Sequence, residues 1–460
     1  MPSRTSGRGW WLAAVVACAW PIHAQDSADP RPRSAATREL RAYEATVTRR
    51  IVQVTQRVFV AVGYTLSSNG LIVGDDGVII VDPGHAIPFS QTVREAFAAL
   101  TDKPVKAIIY THGHPDHTGG AGAFITAGAD IQVWARANFN SEINALRTAG
   151  IPLEARPADS QGGDLPLEKR FSFYGPVEPM RPNAGGGQNQ PGVPPNRTFD
   201  TQRTSLTIAG VRLDLVAAPG ETADQLYLWL PDEGAMFTGD NVFDTWPNVY
   251  PLRGVNRSIR DWADSIDRMI RDAPRYLVQG HGNPILEGAV ESLTNRRDAM
   301  RWVYARTLEG AGRSMTPDEL VEYVRLPEPY ASLPYLRDYY GNVEATVRQI
   351  YAQSFGWFDG DPLNLFRESP RKQAERAAAL VGGPAALLDR ARQAVAQGDF
   401  LGAAQLAQHA PRLAPAAAAP KLLLADALER LAEQSISITT RHYSASYANR
   451  LRAEAAERRE

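Results

Sequence analysis

From Val58 onward, short apolar runs rich in β-branched residues alternate with helical stretches, the pattern of an α/β region. Strands are expected at Val58–Val62, Gly70–Gly74 and Val78–Val81, a helix over Pro88–Leu100, and a buried strand over Val105–Tyr110. That last run stops abruptly at Thr111, where polar residues cluster, so chemistry is expected at its end. Residues from about Gly150 to Arg203 are rich in Pro, Gly and Asn and hold no sustained period, as in a long loop that covers a site or stays unstructured. Strand patterns resume at Ser205–Ile208, Val211–Val216, Gln225–Leu230 and Ala235–Thr238, followed by a helix over Ile259–Arg271 and a strand over Tyr276–Gln279. Beyond Leu286 strand signals almost vanish, and from Arg371 the Ala, Leu, Arg and Gln content is that of packed helices. Pro384–Leu401 and Ala403–Ala432 have the look of tetratricopeptide-like helix pairs, but with no clear period they read as a helical bundle.

A chain of 460 residues exceeds one ordinary core, so two domains are expected. Hydrophobic residues at 44% and charged residues at 22% are those of a globular protein. With 49 Lys and Arg against 51 Asp and Glu and no long basic run, the electrostatic footprint of a nucleic-acid binder is missing. The first 24 residues read as a signal peptide: Arg4 and Arg8 carry charge, Trp10 to Trp20 is almost wholly apolar, and Ile22-His23-Ala24 offers a cleavage point. The apolar run is roughly half the 20 residues of a spanning helix, so a periplasmic or secreted protein without a transmembrane segment is expected. Val15-Val16-Ala17-Cys18 resembles a lipoprotein processing site, the less favoured alternative. Cys18 is the single cysteine, so the exported chain would carry no thiol.

The strongest chemical signal is Thr111-His112-Gly113-His114-Pro115-Asp116-His117-Thr118-Gly119-Gly120. Three imidazoles and a carboxylate within six residues are hard to explain by packing, and neutral imidazole nitrogen and carboxylate oxygen are ligands that zinc prefers. His112 and His114, two apart on an extended turn, can face one metal, while Asp116 and His117 open a helix and can face another. Two full shells need further donors at strand ends, and three are present: Glu221 after Val211–Val216, Asp240 after Ala235–Thr238, and His281 after Tyr276–Gln279. Each alone is an ordinary turn or structural residue; their order after the histidine motif is what carries weight.

That order, His-x-His-x-Asp-His, then a ligand loop, Gly-Asp and Gly-His, resembles the metallo-β-lactamase superfamily. Val81-Asp82-Pro83-Gly84 is similar to its first motif, whose Asp supports the metal loop; His85 falls outside the ligand pattern and reads as structural. Glu221, within Pro219-Gly220-Glu221-Thr222, stands where most of the superfamily has histidine and where the alkyl sulfatases have Glu. Asn248-Val249-Tyr250-Pro251-Leu252-Arg253-Gly254 resembles the alkyl sulfatase stretch whose Arg holds the sulfate, and Tyr339–Val343 and Gly356–Pro362 look like the start of that family's dimerisation domain. The resemblance implies an α/β fold, a metallo-β-lactamase αββα sandwich over residues 25–290 followed by an all-helical dimerisation domain over 291–460, and a homodimer. Asp240 departs from the family's usual Glu, keeping the carboxylate with one methylene less reach. The likeness also stops without the family's sterol-carrier-like C-terminal domain.

The implied chemistry is a binuclear zinc hydrolase, two Zn2+ per chain, cleaving small-molecule sulfate esters of alkyl alcohols by a metal-bound hydroxide. His112, His114 and Glu221 would hold one ion, and Asp116, His117 and His281 the other, with Asp240 bridging or on the second. Asp116 and Asp240 are the candidate catalytic carboxylates, Arg253 the candidate sulfate clamp, since a guanidinium gives an oxyanion two parallel hydrogen bonds, and Tyr340 a second candidate substrate contact. Because the fold hosts many reactions, β-lactam or lactone opening and a non-catalytic metal-binding scaffold are the competing readings.

Overall fold

The computed structural model describes residues 33–151, 159–175, 192–252 and 256–457. The amino-terminal apolar segment and Arg253 lie outside them. A seven-stranded sheet runs in chain order: β1 (Arg50–Gln53), β2 (Val58–Val62), β3 (Asn69–Val73), β4 (Val78–Val81), β5 (Val105–Ile109), β6 (Gln132–Arg136) and β7 (Arg197–Phe199). It is antiparallel from β1 to β4 and parallel from β4 to β7. A five-stranded sheet holds β8 (Arg203–Ile208), β9 (Val211–Ala217), β10 (Leu226–Leu230), β11 (Ala235–Gly239) and β12 (Tyr276–Gln279), antiparallel except for the parallel β11–β12 pair.

Alternate side chains explain why these strands read as unbroken apolar runs. Val60, Val62, Ile79, Val81 and Ile109 face Leu213, Leu215, Leu226, Leu228 and Phe237 of the other sheet. Their neighbours Ala61, Val78, Ile80 and Ile108 point the opposite way, onto Val93 and Phe97 of the helix Ile87–Ala98. Both faces of the central strands β2, β4 and β10 are covered, so neither of their faces is polar. The sheets meet closely at Gly70, where a Cβ would fall 2.2 Å from Phe237 Cε1. Tyr227, Trp229, Met236 and Leu277 line the outer face of the second sheet and pack on Trp262, Ile266 and Met269 of the amphipathic helix Ile259–Arg271. Helix, sheet, sheet and helix stack as the expected αββα sandwich.

After β12 the described residues contain helices and no further strand. Ala289–Ala311 and Val343–Phe355 lie on the same core as the second sheet through Leu293, Met300, Val303, Val347 and Ile350. Trp246, fully buried in the loop after β11, donates from Nε1 to Thr346 Oγ1 at 2.9 Å and so ties sandwich to helices. The C-terminal helices Pro384–Gln397, Phe400–Ala407, Ala418–Glu433 and Ile438–Ala456 pack on small side chains, Ala391, Ala403, Ala407, Ala425 and Ala448. The break between the first two falls at Gly398, whose φ of 79° ends the helix, ahead of the Leu401–Ala403 junction expected from sequence. Among the described residues no helix is long and apolar enough to cross a membrane.

Because one apolar cluster runs from Leu40 through the second sheet to Ile350 and Ile438, residues 33–457 are expected to unfold in one cooperative calorimetric transition. Trp246→Ala should lower stability by about 3–5 kcal/mol, read by denaturant titration, without splitting that transition.

Candidate metal centre

All seven predicted donors converge at one edge of the sandwich. His112 and His114 sit in the loop after β5, and Asp116 and His117 on the single helical turn Pro115–Thr118. Glu221 lies in the β9–β10 loop, Asp240 directly after β11, and His281 after β12. Within this group, ligand atoms of His112, His114, Glu221 and Asp240 form one set within 4.8 Å of one another, and Asp116, His117, Asp240 and His281 form a second. Asp240 belongs to both. A Cβ on Gly280 would stand 1.9 Å from Asp240 Oδ1, so only glycine there lets β11 and β12 bring their carboxylate and imidazole together.

The ring tautomers follow from what holds each imidazole from behind. Asp82, at the end of β4 with φ 49°, accepts Thr111 N–H on Oδ1 at 2.8 Å. Its Oδ2 accepts the Thr111 hydroxyl at 2.7 Å and stands 2.8 Å from His117 Nδ1. Facing a carboxylate, His117 Nδ1 carries its proton there. His281 Nδ1 donates to Leu66 O at 2.7 Å, and His112 Nδ1 to Thr111 Oγ1 at 3.0 Å, whose own hydrogen goes to Asp82. In the neutral rings Nε2 of His112, His117 and His281 is therefore a lone pair aimed into the site.

In the first set His112 Nε2 is 3.0 Å from His114 Nδ1 and 3.3 Å from Glu221 Oε2, which is 3.2 Å from His114 Nδ1. Donors bound to one ion at about 2.0 Å occupy tetrahedral corners about 3.3 Å apart. The spacing is that of a coordination shell. In the second set His117 Nε2 and His281 Nε2 each lie 3.1 Å from Asp240, on Oδ1 and Oδ2 respectively. Asp116 Oδ2 is 3.7 Å and 3.5 Å from the same two nitrogens. His117 Nε2, Glu221 Oε2 and Asp240 Oδ1 are buried and make no hydrogen bond. Buried acceptors left unpaired around a common centre fit divalent cations.

The charges are mutually supporting. Burial opposes the imidazolium at His117, but Asp240, Asp82 and Asp116 outweigh it and hold its pKa well above 6.5; His281 is raised in the same way, chiefly by Asp240. Burial also opposes the Asp240 carboxylate, yet His117 and His281 keep it well below the usual range. Glu221 is likewise depressed against its burial, chiefly by the guanidinium of Arg257, whose Nη1 lies 2.8 Å from Glu221 Oε1. Arg257 was missed in the sequence, where attention fell on Arg253. Its signal was Glu221 itself, since a buried carboxylate in place of a neutral histidine demands a counter-charge.

His85 stands outside both donor sets: its Nδ1 accepts from Leu66 N–H at 3.3 Å, and burial lowers its pKa to about 4. Tyr340 is 8% exposed and stacks on Phe173 at 4.0 Å, with its hydroxyl accepting from Gln161 Nε2 at 3.2 Å. Phe173 in turn lies 4.9 Å from the His281 ring. Within the Gly/Pro-rich excursion, the described stretch 159–175 thus supplies Phe173 and Tyr174 as a wall of the site, while residues 197–199 form β7.

Protons compete with a cation for His117 and His281. Since both pKa values are raised, cation affinity should climb as pH rises through and above 6.5, with protons released on loading. Calorimetric Zn2+ titration in two buffers of different ionisation enthalpy measures that release. Asp82→Asn turns an N–H donor toward His117 Nδ1 and moves the ring proton to Nε2. Affinity of the second set should fall about 10- to 100-fold, with circular dichroism unchanged.

Two family models match the chain, the metallo-beta-lactamase superfamily over residues 62–281 and alkyl sulfatase dimerisation over residues 316–454. A linear primary-alkylsulfatase of a Pseudomonas sp. is 33% identical over 387 residues, covering 81% of this chain and 72% of the relative. The alkyl/aryl-sulfatase BDS1 of Saccharomyces cerevisiae is 26% identical, covering 85% of this chain and 62% of the relative. The solved stereoselective inverting sec-alkylsulfatase Pisa1 from Pseudomonas sp. superposes with a TM-score of 0.82 at 24% identity, over 92% of this chain and 69% of that one; at that identity the match speaks for the fold. With both halves matched in chain order and a relative at this identity, the chain belongs to the alkyl sulfatase family of the metallo-β-lactamase superfamily.

Proposed function

We propose that this chain is a binuclear zinc hydrolase that cleaves sulfate esters of alkyl alcohols. The observation that carries the reading is the pair of donor sets sharing Asp240, on a chain whose relatives are named alkylsulfatases. His112, His114 and Glu221 would hold the first ion and Asp116, His117 and His281 the second, with the Asp240 carboxylate between them. Two such ions would supply Lewis acidity and would lower the pKa of a coordinated water to roughly 7. The chain's own part is to keep the donors fixed and dry: Asp82 and Leu66 O orient His117 and His281, and Phe173 and Tyr340 close one side against water. Asp116, at the more open rim of the second set, is the carboxylate best placed to meet the reacting water. Arg253 would clamp the sulfate, neutralising the charge that develops on the leaving group.

The helical half would join two copies. Phe355, Trp357, Leu363, Leu365 and Phe366 leave an apolar stretch exposed, which supports such an interface. The apolar segment ahead of Gln25 supports export to the periplasm or beyond the cell.

Chelation followed by dialysis should abolish release of sulfate from a medium-chain alkyl sulfate, and Zn2+ should restore it, with two ions per chain by elemental analysis. Nitrocefin run in parallel should not be opened. Lactam turnover without sulfate release would overturn the assignment.

A further inference from the structure

The first donor set poses an electrostatic problem that the second does not. Imidazoles bind a cation in their neutral form, whereas the third donor beside His112 and His114, Glu221, is a carboxylate with only 2% of its surface exposed. A carboxylate this deep is held by its surroundings or turns away from them. Its backbone is fixed first: Asn241 Oδ1 accepts the Glu221 N–H at 3.2 Å, while Asn241 Nδ2 donates to Ala218 O at 2.7 Å. Asn241 O is in turn the acceptor for Trp262 Nε1, at 3.0 Å.

The side chain is fixed from just ahead of the helix that carries Trp262. Arg257, 3% exposed, precedes the N-cap Ser258 of Ile259–Arg271, and its Nη1 donates to Asn248 O at 2.7 Å besides pairing with Glu221 Oε1 at 2.8 Å. Holding Oε1 stops rotation of the carboxylate. Oε2 is then the oxygen that faces His112 and His114, and it makes no hydrogen bond. Arg257 Nε and Nη2 have no hydrogen-bond partner among the described residues, and Arg257 lines a cavity of about 150 Å3 together with Glu142, Thr222 and Asp261. With Glu142, Asp261 and Glu221 around one guanidinium, that cavity is too acidic to serve as an anion site.

We propose that Arg257 is a positioning residue for the first cation: it clamps Glu221 Oε1, leaves Oε2 alone to bind, and makes the Glu221–Arg257 pair a net-neutral ligand equivalent to the histidine that most of the superfamily carries there. The inference rests on the reading of Glu221 as a ligand. The pair is the unit that substitutes for histidine. Exchange of Glu221 without Arg257, or the reverse, leaves a buried charge unanswered, whereas exchange of both does not.

The test is cation loading of the full chain, followed by Zn2+ titration and by the visible spectrum of the Co2+ form. The native chain should take two ions. Arg257→Met should weaken the first ion about 10- to 100-fold and alter the Co2+ bands. The double variant Glu221→His, Arg257→Met restores a neutral donor set and should recover two-ion loading; it also decides the matter if the single variant does not fold. Arg257→Met loading with native affinity and an unchanged Co2+ spectrum overturns the inference, as does a folded double variant that holds one ion. A native chain that takes up fewer than two ions removes the metal reading itself and the inference with it.

Discussion

Lone pairs repel, and this structure holds seven donor side chains from four separate segments with their lone pairs and negative oxygens turned toward a common space. Such an arrangement persists because His112, His117, His281 and Glu221 are each gripped from behind. Asp82 alone answers for Thr111 and His117 and, through the Thr111 hydroxyl, for His112. The loops leave the ends of strands whose two faces are both buried, so the grips are mounted on elements with no freedom to drift. The site is therefore a property of the sandwich as much as of its ligands.

The two halves of the chain share that rigidity. Residues 242–249, which follow Asp240, bury Val242, Phe243, Trp246 and Val249 among helices that arrive a hundred residues later. Arg296, from the long helix Ala289–Ala311, donates to Phe243 O and pairs with Asp244. Covering helices thus hold in place the loop that follows Asp240.

The histidine motif was legible because no packing arrangement calls for three imidazoles and an aspartate in six residues, and Glu221, Asp240 and His281 were legible through their order at strand ends. Both-face burial made β2, β4, β5 and β10 readable as apolar runs. Other features left no such mark. β1 is half exposed along its length and β7 is three residues long, so neither shows a period. Phe173 lies in a stretch without periodicity, and only the fold places its ring beside His281. Arg257 partners a residue in a distant loop, and pairing across the chain is invisible to local spacing.

The last helix, Ile438–Ala456, reaches further than its place at the end of the described chain suggests. His442 Nε2 accepts the Phe171 N–H at 2.9 Å, Ser446 Oγ donates to Asp164, and Arg450 pairs with Asp159. Thr439 and the N–H of Ile438 hold the carbonyls of Tyr340 and Tyr339. The aromatic wall beside His281 is thus moored to residues 99 positions beyond Tyr340 and 271 beyond Phe171, so a substitution in the last helix would shift the wall without touching any of the seven donors.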